Sequence, residues 1–326
     1  MNKRLWANIL RSVIIALTLV AVGVLFVLRV SRERQPMPPS PPAESHGEAK
    51  PIRVVASKRS VPSGADDAVP EDVSSVIAVV CGKVRASANR YEVRNDALRS
   101  VVRRRDLPEG DVAALMAYVA SVKGSLHPAR EAALRNDVLN LLRDQKPVPA
   151  KLPGLLMDIV RKGRHGATFI DYAIQHLGAL QHDLTDEEAG RVQEVLFAAA
   201  SGIGKPYAGT ALYALADARR LSAAESERLR RLTVAACSSR ANQLARLSAL
   251  QLAGQRGYRE VLPDVRAVLT GDRRDAVADT VAVGTLGLLG EASDIELIES
   301  VAARDGSRLA GPCAASVERI KGRMTK

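Results

Sequence analysis

From about residue 73 to the carboxyl end, apolar residues recur three and four positions apart in successive runs, broken by short polar turns. That spacing predicts amphipathic helices joined as hairpins. Start and stop signals punctuate the runs. Thr185 and Ser222, each followed three residues later by Glu188 and Glu225, read as capping boxes. Pro108, Pro128 and Pro153 stand at first-turn positions. Gly124, Gly163, Gly254, Gly271 and Gly290 stand just past apolar runs, where helices stop. Second helices are expected to start near 91, 128, 166, 204, 239, 272 and 306, and first helices near 110, 151, 186, 222, 258 and 293, a period of about 36 residues. Residues 73–80 are apolar and fit either an opening helix or a short strand.

Short stretches repeat outright. Arg94-Asn95-Asp96-x-Leu98 recurs 41 residues on as Arg135-Asn136-Asp137-x-Leu139. One reading is a repeated binding ladder. The preferred one is structural, with Asn and Asp bonding the neighbouring turn. Second helices share small residues at fixed offsets: Ala173/Leu177/Gly178, Ala211/Leu215/Ala216, Ala249/Ala253/Gly254 and Ala282/Leu286/Gly287. Small residues on one stripe let neighbouring helices approach closely.

The beginning of the chain follows another pattern. Residues 12–28 carry no charge, between Arg11 and Arg29. Counting 5–30, the segment is long enough to span a bilayer with its arginines snorkelling and Trp6 at the interface. A cleaved signal peptide, with Ala21-Val22-Gly23 as its site, is the competing reading. The apolar run continues through Leu28 with no good site after it, so an uncleaved anchor is preferred. With so short an amino-terminal tail, the N-terminus is expected in the cytoplasm and the remainder in the periplasm or outside the cell. Residues 31–70 hold eight of the sixteen prolines and should form an extended, unfolded spacer. The expected organisation is therefore 1–30 cytoplasmic tip and anchor, 31–70 linker, and 71–326 helical domain.

Composition sharpens this. Aromatics are only 3% of the 326 residues, too few for a β-sandwich. The net charge of +11 invites a nucleic-acid reading, but residues 1–60 alone carry ten Lys/Arg against three Asp/Glu. Most of the surplus thus flanks the anchor and suits membrane topology. No aromatics interleave with the remaining arginines to stack bases, so nucleic acid is disfavoured. Cys81, Cys237 and Cys313 fit no metal spacing and read as small buried thiols. Five histidines, including His176 and His182 six apart, form no chelate. No nucleophile elbow or phosphate loop is present.

Residues 272–290 resemble the second half of a HEAT repeat, particularly the HEAT-like repeats named after phycobilin lyases, and residues 259–263 resemble its first helix. The likeness is best over 240–322 and looser over 91–240. It implies an all-α fold, a right-handed α-solenoid of about six to seven hairpins behind one transmembrane helix. Proteins of that kind are generally scaffolds, and a minority are enzymes. Deoxyhypusine hydroxylase holds iron through His-Glu pairs, which this chain lacks. HEAT-like DNA glycosylases need aromatic side chains in the groove, and the only Trp is Trp6. The expectation is a non-catalytic, membrane-tethered interaction module for a protein or peptide partner, without a cofactor. The alternative is an envelope enzyme or accessory factor with a site in the groove.

Overall fold

The computed structural model describes residues 72–83, 89–272, 275–305 and 307–325. The anchor expected over 5–30, with Trp6, Arg11 and Arg29, and the linker over 31–70 lie outside these residues. Among the described residues no helix is long and apolar enough to cross a membrane.

Fourteen α-helices and two short 3-10 turns make up the described fold, with no strand. They fall into seven pairs: α1 Val73–Val80 with α2 Tyr91–Val101, α3 Glu109–Ala120 with α4 Pro128–Arg143, and α5 Leu152–Lys162 with α6 Ala167–Leu180. Next come α7 Asp186–Ser201 with α8 Ala208–Ala216, and α9 Ala223–Ser238 with α10 Gln243–Arg256. The last two are α11 Leu262–Thr270 with α12 Ala276–Leu289, and α13 Ile295–Asp305 with α14 Ser307–Met324. Residues 73–80 are helical, opened by Asp72, whose carboxylate accepts from Ser75 N.

Local chemistry explains these boundaries. Thr185 and Ser222 close reciprocal capping boxes with Glu188 and Glu225, satisfying donors that a helix start leaves without a partner. Asn242 and Asp275 cap α10 and α12 through side-chain oxygens. Gly163 ends α5 in the left-handed region at φ 58°. Gly254 does not end α10. It lies inside that helix, and Gly257, at φ 77°, supplies the left-handed cap. The reason is packing: a Cβ on Gly254 would press on Thr285 and Leu288 of α12 at 3.3 and 3.2 Å.

The two helices of each pair pack on one another, and the second helices follow in line, α2 on α4, α4 on α6, and so on to α14. First helices α1, α3, α5, α7 and α9 make a parallel line of contacts. One continuous apolar core runs through all seven pairs, from Val76 to Ile320. Each fully buried Leu, Ile or Phe in it contributes about 1.5–3 kcal/mol.

Small residues set the spacing of the second helices. A Cβ on Gly178 would sit 2.9 Å from the Ala214 Cβ, and one on Gly287 would sit 2.6 Å from Ser316 Oγ and 3.0 Å from its Cα. Because the Ser316 backbone belongs to α14, it cannot swing away. Gly287→Val is therefore expected to destabilise the protein by roughly 2 kcal/mol, read as a lower denaturant midpoint. An unchanged midpoint would mean that α12 and α14 are not in close contact.

Side chains from neighbouring pairs also close helix carboxyl ends. Gln181 Nε2 donates to Gly178 O and Ala214 O at 3.1 and 2.8 Å. Arg323 donates to Gly287 O and Gly290 O at 2.6 and 2.7 Å. Both bond carbonyls that lack a partner within their own helix, and the cation also complements the negative end of the dipole.

Candidate functional site

The first two pairs contain a polar cluster in what would otherwise be apolar core. Arg94, Leu98 and Val101 are spaced four and three apart, so they share one face of α2, and all are buried. On α4 the same logic puts Glu131, Arg135, Val138 and Leu142 on the core-facing stripe. Arg94 is 1% exposed, Arg135 4% and Glu131 5%.

Buried charges require partners, and these have them. Glu131 lies 3.2 Å from Arg135 Nε and 3.8 Å from Arg94 Nη1. The Arg135 approach lacks hydrogen-bond alignment, so its attraction is mainly coulombic. Tyr118 Oη donates to Glu131 Oε1 at 2.6 Å, and Leu126 N donates to Oε2 at 3.2 Å. Both guanidinium groups also sit over the Tyr118 ring, at 4.9 and 5.3 Å from its centre. Burial, reinforced by the bond to Glu131, pushes the Tyr118 phenol well above its ordinary value. It therefore stays a protonated donor.

The arginines also tie their pairs together. Arg94 Nε donates to Val80 O, the last residue of α1, at 2.8 Å. Arg135 Nη2 donates to Lys123 O, past the end of α3, at 3.3 Å. Arg246, which carries no such repeated motif, does the same from α10 to Cys237 O of α9 at 2.8 Å. Thus in the repeated Arg-Asn-Asp stretches the arginine bonds the turn. Asn136 instead meets His176 at 3.2 Å. Asp96 is exposed beside Arg99, Asn95 is half-buried and Asp137 is half-buried. The structure brings Arg94 and Arg135 together, and leaves Asn95, Asp96, Asn136 and Asp137 outside their cluster.

A cleft of about 450 Å³ opens onto this cluster, lined among others by Cys81, Gly82, Lys83, Arg94, Ser125 and Glu131. Two glycines bring backbone close to the ion pair. Gly82 has φ +72°, and a Cβ there would lie 3.2 Å from Arg94 Nη1. A Cβ on Gly124 would overlap the Glu131 side chain at 2.6 Å. Burial raises the Cys81 thiol, with Lys83 and Arg94 opposing, so this sulfur is a poor nucleophile.

A second polar row crosses α4, α6 and α8. Asp171 accepts from Thr210 Oγ1 at 2.5 Å and from Gln175 Nε2 at 2.8 Å. Burial pushes Asp137 and Asp171 above the usual carboxylate range, opposed at Asp137 by Arg99 and at Asp171 by Thr210 and Gln175. Desolvation, then Arg143, lowers His176 to about 4. An ion-paired face lies on α9, where Arg230 meets Glu227 at 2.8 Å and Arg228 meets Glu194 at 3.2 Å. Cys237 and Cys313 are buried, Cys81 is half-buried, and none forms a disulfide. His182 pairs with Asp217 rather than with His176. Among the described residues no group of three or more His, Cys, Asp and Glu is placed to hold a metal.

No family model, curated protein or solved structure matches this chain.

Proposed function

We propose that the chain is a membrane-tethered scaffold, a right-handed α-solenoid of HEAT-like hairpins that presents its second-helix face to a protein or peptide partner. One observation carries the reading: α2, α4, α6, α8, α10, α12 and α14 pack in an unbroken line. Repeats joined only to their neighbours build extended binding faces in this way. The second helices change character along the line, from exposed Asp96 and half-buried Asp137, Asp171 and Tyr172 to exposed Leu244, Val277 and Leu288. Such a graded surface suits an extended segment with basic residues at one end and apolar residues at the other. Residues 5–30 would anchor the chain, 31–70 would space it from the bilayer, and the helical part would lie in the periplasm or outside the cell. The alternative, an envelope enzyme or accessory factor, has the cleft of the first two pairs in its favour.

The test places a photo-crosslinker on the full-length chain in carbonate-washed membranes. Second-helix positions Asp96, Gln175 and Thr280 are compared with first-helix positions Asp158, Glu187 and Glu299, all exposed. The expected result is that the chain stays with the membranes and crosslinks to one discrete partner from the second-helix positions only. Release by carbonate would overturn the anchor. Crosslinking from the first-helix positions alone would overturn the assigned face.

A further inference from the structure

The cluster in the first two pairs is built around more positive than negative charge. Arg94 and Arg135 face a single carboxylate, Glu131, and that carboxylate is already engaged by Tyr118 and Leu126 N. Arg94 spends its Nε on Val80 O and its Nη1 on Ser125 Oγ and Asn89 Oδ1, at 3.1 and 3.4 Å. Its Nη2 is buried and has no protein acceptor. A charged donor left without an acceptor in a residue 1% exposed is costly, and an incoming acceptor would relieve that cost. Arg94 lines the cleft, and positive-φ Gly82 at its wall leaves beside Nη1 and Cζ the room that a Cβ would crowd.

We propose that this cleft binds a ligand through a carboxylate group, one oxygen of which accepts from Arg94 Nη2. The volume suits a small acid or the last residues of a peptide, within the range of ordinary ligand clefts. Charge selects the group. Lys83 stands at the cleft and acts on the neighbouring Cys81 thiol, so its ammonium adds positive potential there. Glu131 lines the same cleft, and its negative charge opposes a dianion. A monoanion is the species that gains from Arg94 and Lys83 while meeting the least repulsion from Glu131. The Ser125 hydroxyl, bonded to both Arg94 and Asn89, lies at the same wall and fixes the guanidinium plane. None of this depends on the membrane anchor or on the proposed partner face.

Titration calorimetry on the full-length chain in detergent, at low salt, tests it. The probes are N-acetyl-L-alanine, its amide, acetate, N-acetyl-trialanine and inorganic phosphate. Saturable binding of N-acetyl-L-alanine is expected, with the uncharged amide about tenfold or more weaker. The exposed Lys83 is replaced without touching the core, and Lys83→Glu should weaken the acid by about tenfold, with unchanged helical content by circular dichroism. N-acetyl-trialanine binding more tightly than acetate supports recognition of a chain terminus, and equal binding supports a free small acid. No saturable binding, equal binding of acid and amide, or phosphate binding more tightly than every carboxylate would overturn the proposal. So would a Lys83→Glu protein that binds as well as the unaltered chain.

Discussion

Glu131→Ala is expected to cost about 3–5 kcal/mol, the loss typical of removing one partner from a buried ion pair. The substitution deletes the carboxylate that lies 3.2 Å from Arg135 and 3.8 Å from Arg94. Two guanidinium groups, 4% and 1% exposed, would then share a desolvated site with no counterion. Tyr118 Oη and Leu126 N would lose their acceptor as well. Glu131→Gln keeps an acceptor oxygen but no charge, and should fall between alanine and the unaltered chain. Replacing Arg94, Glu131 and Arg135 together with Met, Leu and Met removes all three charges and should be less damaging than Glu131→Ala alone. Urea unfolding of the four proteins gives the order. A loss below about 1 kcal/mol for Glu131→Ala would mean that water reaches the cluster.

The second large effect is a pH dependence. His176 is 4% exposed, and burial holds its protonation near pH 4, below the ordinary imidazole value of 6.5. In the unfolded chain it takes up a proton as the pH falls through 6.5, while the folded chain resists until about 4. The unfolded state therefore binds more protons throughout that window, and stability falls as the solution is acidified. Above pH 6.5 the effect vanishes, and below about 4 it saturates. The span corresponds to about 3 kcal/mol between pH 7 and pH 4. Asp137 and Asp171 act with the opposite sign. Their raised values mean that protonation favours the folded chain near the lower end of the window. Comparison with His176→Gln isolates the histidine, since Gln can still meet Asn136 at that position. The unaltered chain should lose more stability than the variant on going from pH 7 to pH 4. Parallel profiles would show that the imidazole is not desolvated.

Much of the helix pattern is readable from residue type, because the signals are local. Capping boxes at Thr185 and Ser222, prolines at 128 and 153, and apolar spacing of three and four all act within one or two turns of a helix. The misplaced stop at Gly254 shows where local reading ends. Nothing near it in sequence reveals Thr285, 31 positions on, against which its missing Cβ matters. Residues 73–80 illustrate the same limit, since a short apolar run fits a strand or a helix equally until its neighbours are known.

The polar cluster was half legible. The repeated Arg-Asn-Asp stretch draws attention to Arg94 and Arg135, but the signal for burial lies in register. Both arginines, and Glu131, stand on the apolar stripes of their helices, where charge is out of place. Tyr118 comes from a third helix and has no periodic relation to the others. Only tertiary packing brings its hydroxyl to Glu131 and its ring beneath two guanidinium groups.

The proposed solenoid rests on pairs that lean only on their neighbours, and hydrogen exchange on the Gly287→Val chain probes that directly. Strain enters between α12 and α14. Amide exchange should rise in α11 to α14 and stay unchanged in α1 to α4, as expected for units coupled pair by pair. A uniform rise from α1 to α14 would contradict it, because a distant strain would then be felt by every helix at once.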